Sequence, residues 1–198
     1  MTSSSKDAHS EPTLQRLSTL CREQLSLMGE DPDREGLLKT PDRVARTVQY
    51  LTSGYHEDPV VTLRSALFHE PSPRMVMLKD IEFYSLCEHH IMPFFGKVHV
   101  AYIPDGTITG LSKIARAVDI LSKRLQVQER LTTQLLQVIG EALQPKGAMV
   151  VIEAQHLCMQ MRGVEKQGTM TRTMDYTGLF ASDSALRQDF MSSIRPMP

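Results

Sequence analysis

The chain has 198 residues, which suits one sizeable domain and is short for two complete ones. Its content of 41% hydrophobic and 23% charged residues is ordinary for a globular protein. A net charge of −1 argues against nucleic-acid binding through bulk electrostatics. The longest apolar stretch, about six residues around AMVVI, is too short to span a membrane.

The amino-terminal segment MTSSSKDAHSEP has no apolar core of the kind found in signal peptides, and residues 1–12 are predicted to form a disordered tail. The three cysteines, in a chain without a secretion signal, indicate a reducing compartment. We therefore expect a cytoplasmic protein whose thiols are free or bind metal.

Helical spacing of leucines predicts a first helix over residues 14–28, with Cys21 buried on its apolar stripe. The segment KTPDRVARTVQYLTSG predicts a second helix, with Thr40 as N-cap and Pro41 in the first helical position. Its buried stripe is expected to consist of Val44, Val48 and Leu51. Arg43 and Arg46 lie on a neighbouring face, and their spacing alone favours solvated surface.

After the break at PSPR, the segments MVMLKDIEFYSL and GKVHVAYIPDG predict strands. In the second strand Val98, Val100 and Tyr102 alternate with His99, which is expected to be exposed on the face opposite the core. The next two apolar stripes predict helices, one with Leu111, Ile114, Ala115, Val118, Leu121 and Leu125 inward, the other from about Val127 to near Pro145.

The segment GAMVVIEAQHLCMQMRGVE predicts two β segments around a bend at His156 to Cys158, with Met159 and Met161 in the core. The order of elements is helices, strands, two helices and strands. It predicts an α+β protein whose antiparallel sheet carries its helices on one face. We divide the chain into a tail (1–12), a helical amino-terminal region (13–74) and a main α+β domain (75–198).

Two remote β-rich segments each bring a thiol and an imidazole. The first, LCEHH, contains Cys87, His89 and His90; the second contains His156 and Cys158. Successive side chains of a strand point to opposite faces, so only one of the adjacent histidines is expected to bind a metal there. Two cysteines and one histidine would leave a fourth zinc position open, the layout of a catalytic site. The alternative, buried thiols and locally bonded histidines, stays open on these residues alone.

Three longer segments, SLCEHHIMPFFGKVHVAYIPDG, GLSKIARAVDILSKRLQVQERLT and VVIEAQHLCMQMRGVEK, resemble GTP cyclohydrolase I in the order expected for that family. The resemblance also includes EGLLKTPDRVA and runs from about Pro12 to the carboxyl terminus. It implies the tunnelling fold (T-fold), in which subunit sheets join into a barrel. It also implies self-association, usually as a homodecamer of two pentamers, with active sites built by neighbouring subunits.

The resemblance implies Zn2+ bound by Cys87, His90 and Cys158, and GTP as the substrate. In the family reaction the imidazole ring of GTP opens at C8, this carbon leaves as formate, and the remainder becomes 7,8-dihydroneopterin triphosphate. His156 corresponds to the proton donor and His89 to a second catalytic imidazole. An ordinary imidazole pKa near 6.5 suits such proton transfer.

Glu129 resembles the carboxylate that accepts hydrogen bonds from guanine N1–H and its 2-amino group, with Gln128 beside it. Contacts to ribose and triphosphate are implied for Ser112, Lys113, Arg116, Arg162, Arg43 and Arg46. Ser112 is also expected among the catalytic residues. It lies with Lys113 at the start of a helix, where backbone N–H groups favour anions.

One segment, TMTRTMDYTGLF, departs from the Ser/Thr-rich run of many relatives. Thr169, Thr171 and Thr173 remain, but Met174 and Asp175 replace small polar residues, and the role of the segment stays open.

Two other functions are considered. A zinc hydrolase acting on another purine is one, although the paired cysteines of nucleobase deaminases are absent. A catalytically silent GTP sensor is the other, although such a protein has no need of an open metal site. Neither nucleic acid nor membrane is an expected partner.

Overall fold

The computed structural model describes residues 10–71 and 74–194. The predicted tail falls mostly outside the described residues, and the first helix already begins at Glu11. The chain divides into two compact units between His56 and Glu57. In the described parts of the chain, no helix combines the length and apolarity needed to cross a bilayer.

The first unit consists of two helices and a short 3-10 helix. They are α1 (Glu11–Leu27), α2 (Thr40–Leu51) and the 3-10 helix Ser53–His56. Ser10 caps α1 by accepting a hydrogen bond from the backbone N–H of Thr13. Cys21 is buried on α1, as predicted.

Two predictions for α2 are wrong. Its N-cap is Lys39, without a side-chain cap, because Thr40 is already helical. Val44 is exposed, since Pro41 and Ala45 form the buried face of this helix. Ala45 faces α1 across a small cleft between the two helices.

The second unit is built from seven strands and six helices among the described residues. The strands are β1 (Leu67–His69), β2 (Val76–Cys87), β3 (Met92–Ile103), β4 (Thr107–Thr109), β5 (Leu125–Gln126), β6 (Gly147–His156) and β7 (Thr171–Gly178). The helices are α3 (Pro59–Arg64), α4 (Leu111–Ser122), α5 (Gln128–Leu143), α6 (Leu157–Gln160), α7 (Leu179–Ser182) and α8 (Ser184–Ser193).

The main sheet has the strand order β5-β2-β3-β6-β7, and a separate pair joins β1 to β4. All neighbours in the main sheet are antiparallel except the short parallel pair of β2 with β5. The α+β class is therefore confirmed. It agrees with the fold that the family resemblance implies.

The principal core lies between one face of the sheet and helices α4 and α5. Ile114, Val118 and Leu121 of α4 are buried there as predicted. Leu111 is exposed, because it stands at the first residue of α4, and Leu125 lies in β5 and not in the helix.

Helices were expected on one face of the sheet only, but the opposite face carries a second, smaller core with helices of its own. Phe180 and Phe190 of the carboxyl-terminal helices pack there against Ala101 and Val151 of the sheet. The prediction of an exposed His99 is wrong: the side chain is only 1% exposed. Alternation places His99 on the correct face, but that face is covered as well.

The prediction of a strand beyond His156 is also wrong. The backbone becomes helical from Leu157, forming α6, and Met161 at its end is exposed. The alternation of Met159 and Met161 suits a strand, but on this helical turn it does not bring both side chains into the core.

Candidate active site

The candidate site lies at one edge of the main sheet, where three elements end or begin. β2 and β6 are each antiparallel to β3 and therefore run in the same direction, so Cys87 and His156 end at the same edge. The parallel pairing of β5 with β2 sets Gln126 opposite Cys87. The first turn of α5, which follows β5, therefore starts beside them. This topology brings together residues about seventy positions apart in the chain.

Cys87, His90 and Cys158 form the one group of potential metal ligands found in the described residues. One ligand atom from each lies within 4.8 Å of the others. Typical distances of about 2.3 Å for Zn–S and about 2.0 Å for Zn–N allow a single ion to reach all three. Two thiols and an imidazole are the ligand types that zinc prefers, so the residues fit such an ion.

The electrostatics of the thiol pair also favour a cation. Burial raises the pKa of Cys158, and the negative charge and hydrogen bonding of Cys87 raise it further. Two neighbouring thiolates without a counter-ion are therefore unfavourable. A metal ion between them would offset their repulsion, as coordination stabilises the deprotonated thiol.

The turn that carries both histidines is held by its own backbone. The N–H of Ile91 donates to the carbonyl oxygen of Cys87 at 2.8 Å, and Ile91 has a left-handed φ of 52°. His89 is exposed, with Nδ1 3.9 Å from the Cys87 sulfur. The adjacent histidines therefore differ in their contacts, since only His90 joins the metal-ligand group.

An ion pair joins this turn to the first turn of α5. The two terminal nitrogens of the Arg130 guanidinium, Nη1 and Nη2, donate to the Glu88 carboxylate, Nη2 at 2.9 Å. This pairing lowers the pKa of Glu88. Neither residue was predicted from the sequence, although Glu88 lies inside the CEHH motif.

His156 is held on one face and at one ring nitrogen. Its ring stacks on Phe94 with centroids 4.7 Å apart and planes inclined by 4°. Its Nε2 lies 2.9 Å from the side-chain oxygen of Gln128. Burial lowers the pKa of His156, and the charge of Glu129 acts in the opposite direction.

These residues surround a cavity of about 230 Å³. Its lining includes most of the residues predicted for the metal, for catalysis and for guanine: Cys87, His89, His90, Gln128, Glu129, His156 and Cys158. The volume is below the range of about 300–1,000 Å³ typical of sites for whole ligands of drug size. Within one chain, the cavity therefore has room for part of a nucleoside triphosphate.

The residues predicted to contact the ribose and the phosphates lie outside the lining of this cavity. Nη1 of Arg162 is 3.0 Å from Nε2 of His90, which puts a guanidinium at the border of the metal-ligand group. Arg116 borders a separate cleft with Glu57 and Thr62. Ser112 and Lys113 lie in the first turn of α4, outside the lining of the 230 Å³ cavity. Arg43 and Arg46 belong to α2 of the first unit.

Comparison with known proteins identifies the family. The family model described as GTP cyclohydrolase I matches residues 17–195. A Bacteroides fragilis protein named GTP cyclohydrolase 1 is 59% identical over 184 residues, which cover 93% of this chain and 94% of the relative. A Chlorobium chlorochromatii protein of the same name is 57% identical over 171 residues, 86% of this chain and 77% of the relative. This chain belongs to the GTP cyclohydrolase I family.

Proposed function

We propose that this chain converts GTP to formate and 7,8-dihydroneopterin triphosphate at the edge of the sheet described above, using a zinc ion held by Cys87, His90 and Cys158. Family membership assigns the GTP cyclohydrolase I activity. The observation that supports this particular site is the grouping of the three metal-ligand residues and His156 around one cavity.

A zinc ion in this position would supply Lewis-acid chemistry and make a water molecule nucleophilic near neutral pH. The chain contributes three ligands, and a tetrahedral ion has one further position for water. Arg162 lies beside His90 and carries a charge suited to a phosphate group. These features favour a catalytic metal site over a structural one, which would have four protein ligands.

His156 is the proposed proton donor. Attack at C8 of GTP needs a proton on N7, because C8 is a poor electrophile in the neutral ring. The cavity is lined by His156, and burial lowers its pKa, which makes the protonated imidazole a stronger acid. His89, exposed beside the same cavity, is proposed to assist proton transfer during ring opening or the rearrangement of the ribose.

Recognition of guanine is assigned to Glu129, whose carboxylate can accept from N1–H and the 2-amino group together. The ribose and triphosphate are assigned to Ser112, Lys113, Arg116, Arg162, Arg43 and Arg46, with Ser112 also in a catalytic role. Because the cavity is small and several of these residues lie outside it, we propose that neighbouring subunits complete the site. A homodecamer of two pentamers, in which subunit sheets join into a barrel, is part of this proposal.

In the cell, the reaction would be the first step of a folate or pterin pathway. We place it in the cytoplasm, where a reducing environment keeps the three cysteines available as thiols.

The decisive experiment incubates the purified protein with GTP and measures formate together with the absorbance of the pterin product. The expected result is one formate per pterin formed, and loss of both products when the metal is removed with a chelator. Release of GDP and phosphate would contradict the proposal, as would binding of GTP without turnover.

The variant His156→Ala gives the test at the level of one residue. It should retain GTP and zinc but lose most turnover, since general acid catalysis contributes about 100- to 10,000-fold. The matched control is His69→Ala, which removes an exposed histidine of β1. Normal pterin formation by His156→Ala would exclude the proposed proton donor.

A further inference from the structure

The buried amide of Gln128 has contacts that the proposed chemistry leaves unexplained. The side chain is 1% exposed although it borders the cavity. Its nitrogen lies 3.0 Å from the carbonyl oxygen of Ile152 and 3.0 Å from that of Thr171. Backbone carbonyl oxygens only accept hydrogen bonds, so the NH2 group must face them. The amide therefore has one possible orientation, with its oxygen toward His156.

This orientation determines which nitrogen of His156 carries a proton. Nε2 lies 2.9 Å from the Gln128 oxygen, and an amide oxygen can only accept. Nε2 must therefore be protonated whenever the bond is made. In the neutral ring Nδ1 is then the unprotonated nitrogen, and it is the atom that can take up and release the catalytic proton. Stacking on Phe94 fixes the plane of the ring in addition.

Two threonines extend the same hydrogen-bond chain. The hydroxyl of Thr132 donates to the backbone oxygen of Gln128 at 2.8 Å, so its oxygen accepts from the hydroxyl of Thr173, 2.7 Å away. The Thr173 oxygen also lies 3.2 Å from the side-chain nitrogen of Gln128, which shares its two hydrogens among this oxygen and the two carbonyl oxygens. Thr173 and the Thr171 carbonyl belong to β7, in the segment whose role the sequence left open.

We propose that Gln128 is a positioning residue that holds His156 in the tautomer with Nε2 protonated, and that Thr173 supports it by fixing the amide. This inference rests on the proposed function of His156. It differs from the role suggested by the family resemblance, since the polar atoms of the Gln128 side chain bond to the protein and not to guanine.

The physical consequence concerns the step in which His156 gives up its proton. When protonated His156 donates from Nδ1, the N–H bond at Nδ1 breaks and the neutral ring remains with its proton on Nε2. The Gln128 oxygen stabilises that product of the transfer. Without this acceptor, the Nε2–H group is left buried and unpaired, and the ring can instead hold its proton on Nδ1, which blocks return of the proton.

The kinetic test uses Gln128→Met, which keeps the length of the side chain and removes its hydrogen bonds. We expect kcat for pterin formation to fall about 10- to 100-fold, part of the full effect of general acid catalysis, with KM for GTP and zinc content nearly unchanged. A raised KM with normal kcat would show instead that Gln128 contacts the substrate. Lower thermal stability with normal kcat would show a purely structural role, and either result overturns the proposal.

Thr173 provides a milder perturbation that avoids a misfolded core. Thr173→Val removes the hydroxyl and should lower kcat a few-fold, whereas Thr173→Ser keeps the hydroxyl and should restore it. The surface control is Gln137→Met on the exposed side of α5, which should have no effect. Equal kcat in the valine and serine variants would contradict the role of Thr173.

A spectroscopic measurement separates this inference from the proposed function. With 15N-labelled histidine, the ring nitrogens of His156 in the zinc-loaded protein should report the tautomer with Nε2 protonated, assigned by comparison with His156→Ala. Gln128→Met should shift this signal toward a mixture. A wild-type His156 with its proton on Nδ1 overturns the inference whether or not the protein produces pterin, while absence of pterin alone refutes only the proposed function.

Discussion

Replacing His99 with asparagine is expected to reduce the loss of stability that the protein suffers in mild acid. The imidazole is 1% exposed, and its Nδ1 accepts from the backbone N–H of Asp80 at 3.1 Å. Its Nε2 is 3.6 Å from a Glu153 oxygen and has no hydrogen-bond partner among the described residues. Burial lowers the pKa of His99, although the charges of Asp80 and Glu153 act in the opposite direction. Asparagine can keep an acceptor near the Nδ1 position and cannot titrate in this range.

The sign of the effect follows from the lowered pKa. As pH falls through the ordinary histidine pKa of 6.5, the unfolded chain binds a proton before the folded one does. The contribution of neutral His99 to stability is therefore complete above that pH and is lost as pH falls toward its folded pKa. For one proton the slope is at most about 1.4 kcal/mol per pH unit. That corresponds to about 3–6 °C in melting temperature per pH unit for a chain of this length.

The assay compares melting temperatures of wild type, His99→Asn and the exposed-site control His69→Asn between about pH 7.5 and pH 5.5, at constant ionic strength. Protonation of the other histidines and of the metal ligands is common to all three proteins and cancels in the differences. Wild type and His69→Asn should lose stability in parallel, and His99→Asn should lose less. Parallel curves for all three would refute the argument that burial of His99 costs stability in acid.

Three further predictions concern the metal, the base and the packing of the sheet. Cys158→Ser should lower zinc content well below one ion per chain in metal analysis, because a hydroxyl is a poor zinc ligand, whereas Cys21→Ser should leave it unchanged. Glu129→Ala should lose selectivity for GTP over ATP in competition binding, and retained selectivity would exclude its assignment. Gly96→Ala should lower the free energy of unfolding by about 1–3 kcal/mol or more in denaturant titrations, since its Cβ would lie 1.9 Å from a carbonyl oxygen of β6. The matched change Gly140→Ala, in open space on α5, should raise it by about 0.5–1 kcal/mol, and a loss equal to that of Gly96→Ala would contradict the clash.

The metal-ligand group could be predicted only in part from local sequence motifs. CEHH and HLC place thiols beside imidazoles, but motifs of four and three residues do not specify which remote segment each will contact. The meeting of Cys87 with Cys158 depends on strand order, with β3 between β2 and β6. Strand pairing between distant segments leaves no local pattern, which is why the residues alone kept the alternative of buried thiols open. The family resemblance supplied the missing long-range information.

The errors at His99 and Val44 have a common origin. Periodicity states which residues share a face of a strand or helix, but not which neighbour covers that face. His99 lies on the sheet face that also carries the second core, and its own contacts are with the backbone of Asp80 in β2 and the carboxylate of Glu153 in β6. For Val44 a shift of one position moves the buried face of α2 to Ala45. Both results depend on tertiary contacts that a single amphipathic pattern does not specify.

Gln128 shows why the chemistry of this edge of the sheet extends beyond the residues that line its cavity. Its neighbour Glu129 is exposed in the first turn of α5 and free to face a ligand, while Gln128 points inward and bonds to β6 and β7. Adjacent residues of a helix are separated by about 100°, so one turn can face a ligand with Glu129 and contact the proposed proton donor His156 with Gln128. If the proposed role of Gln128 is correct, a substitution in β7 alters the proton chemistry of His156 through Thr173 and Gln128 without any contact with GTP. This separation is what the Thr173→Val and Thr173→Ser pair measures.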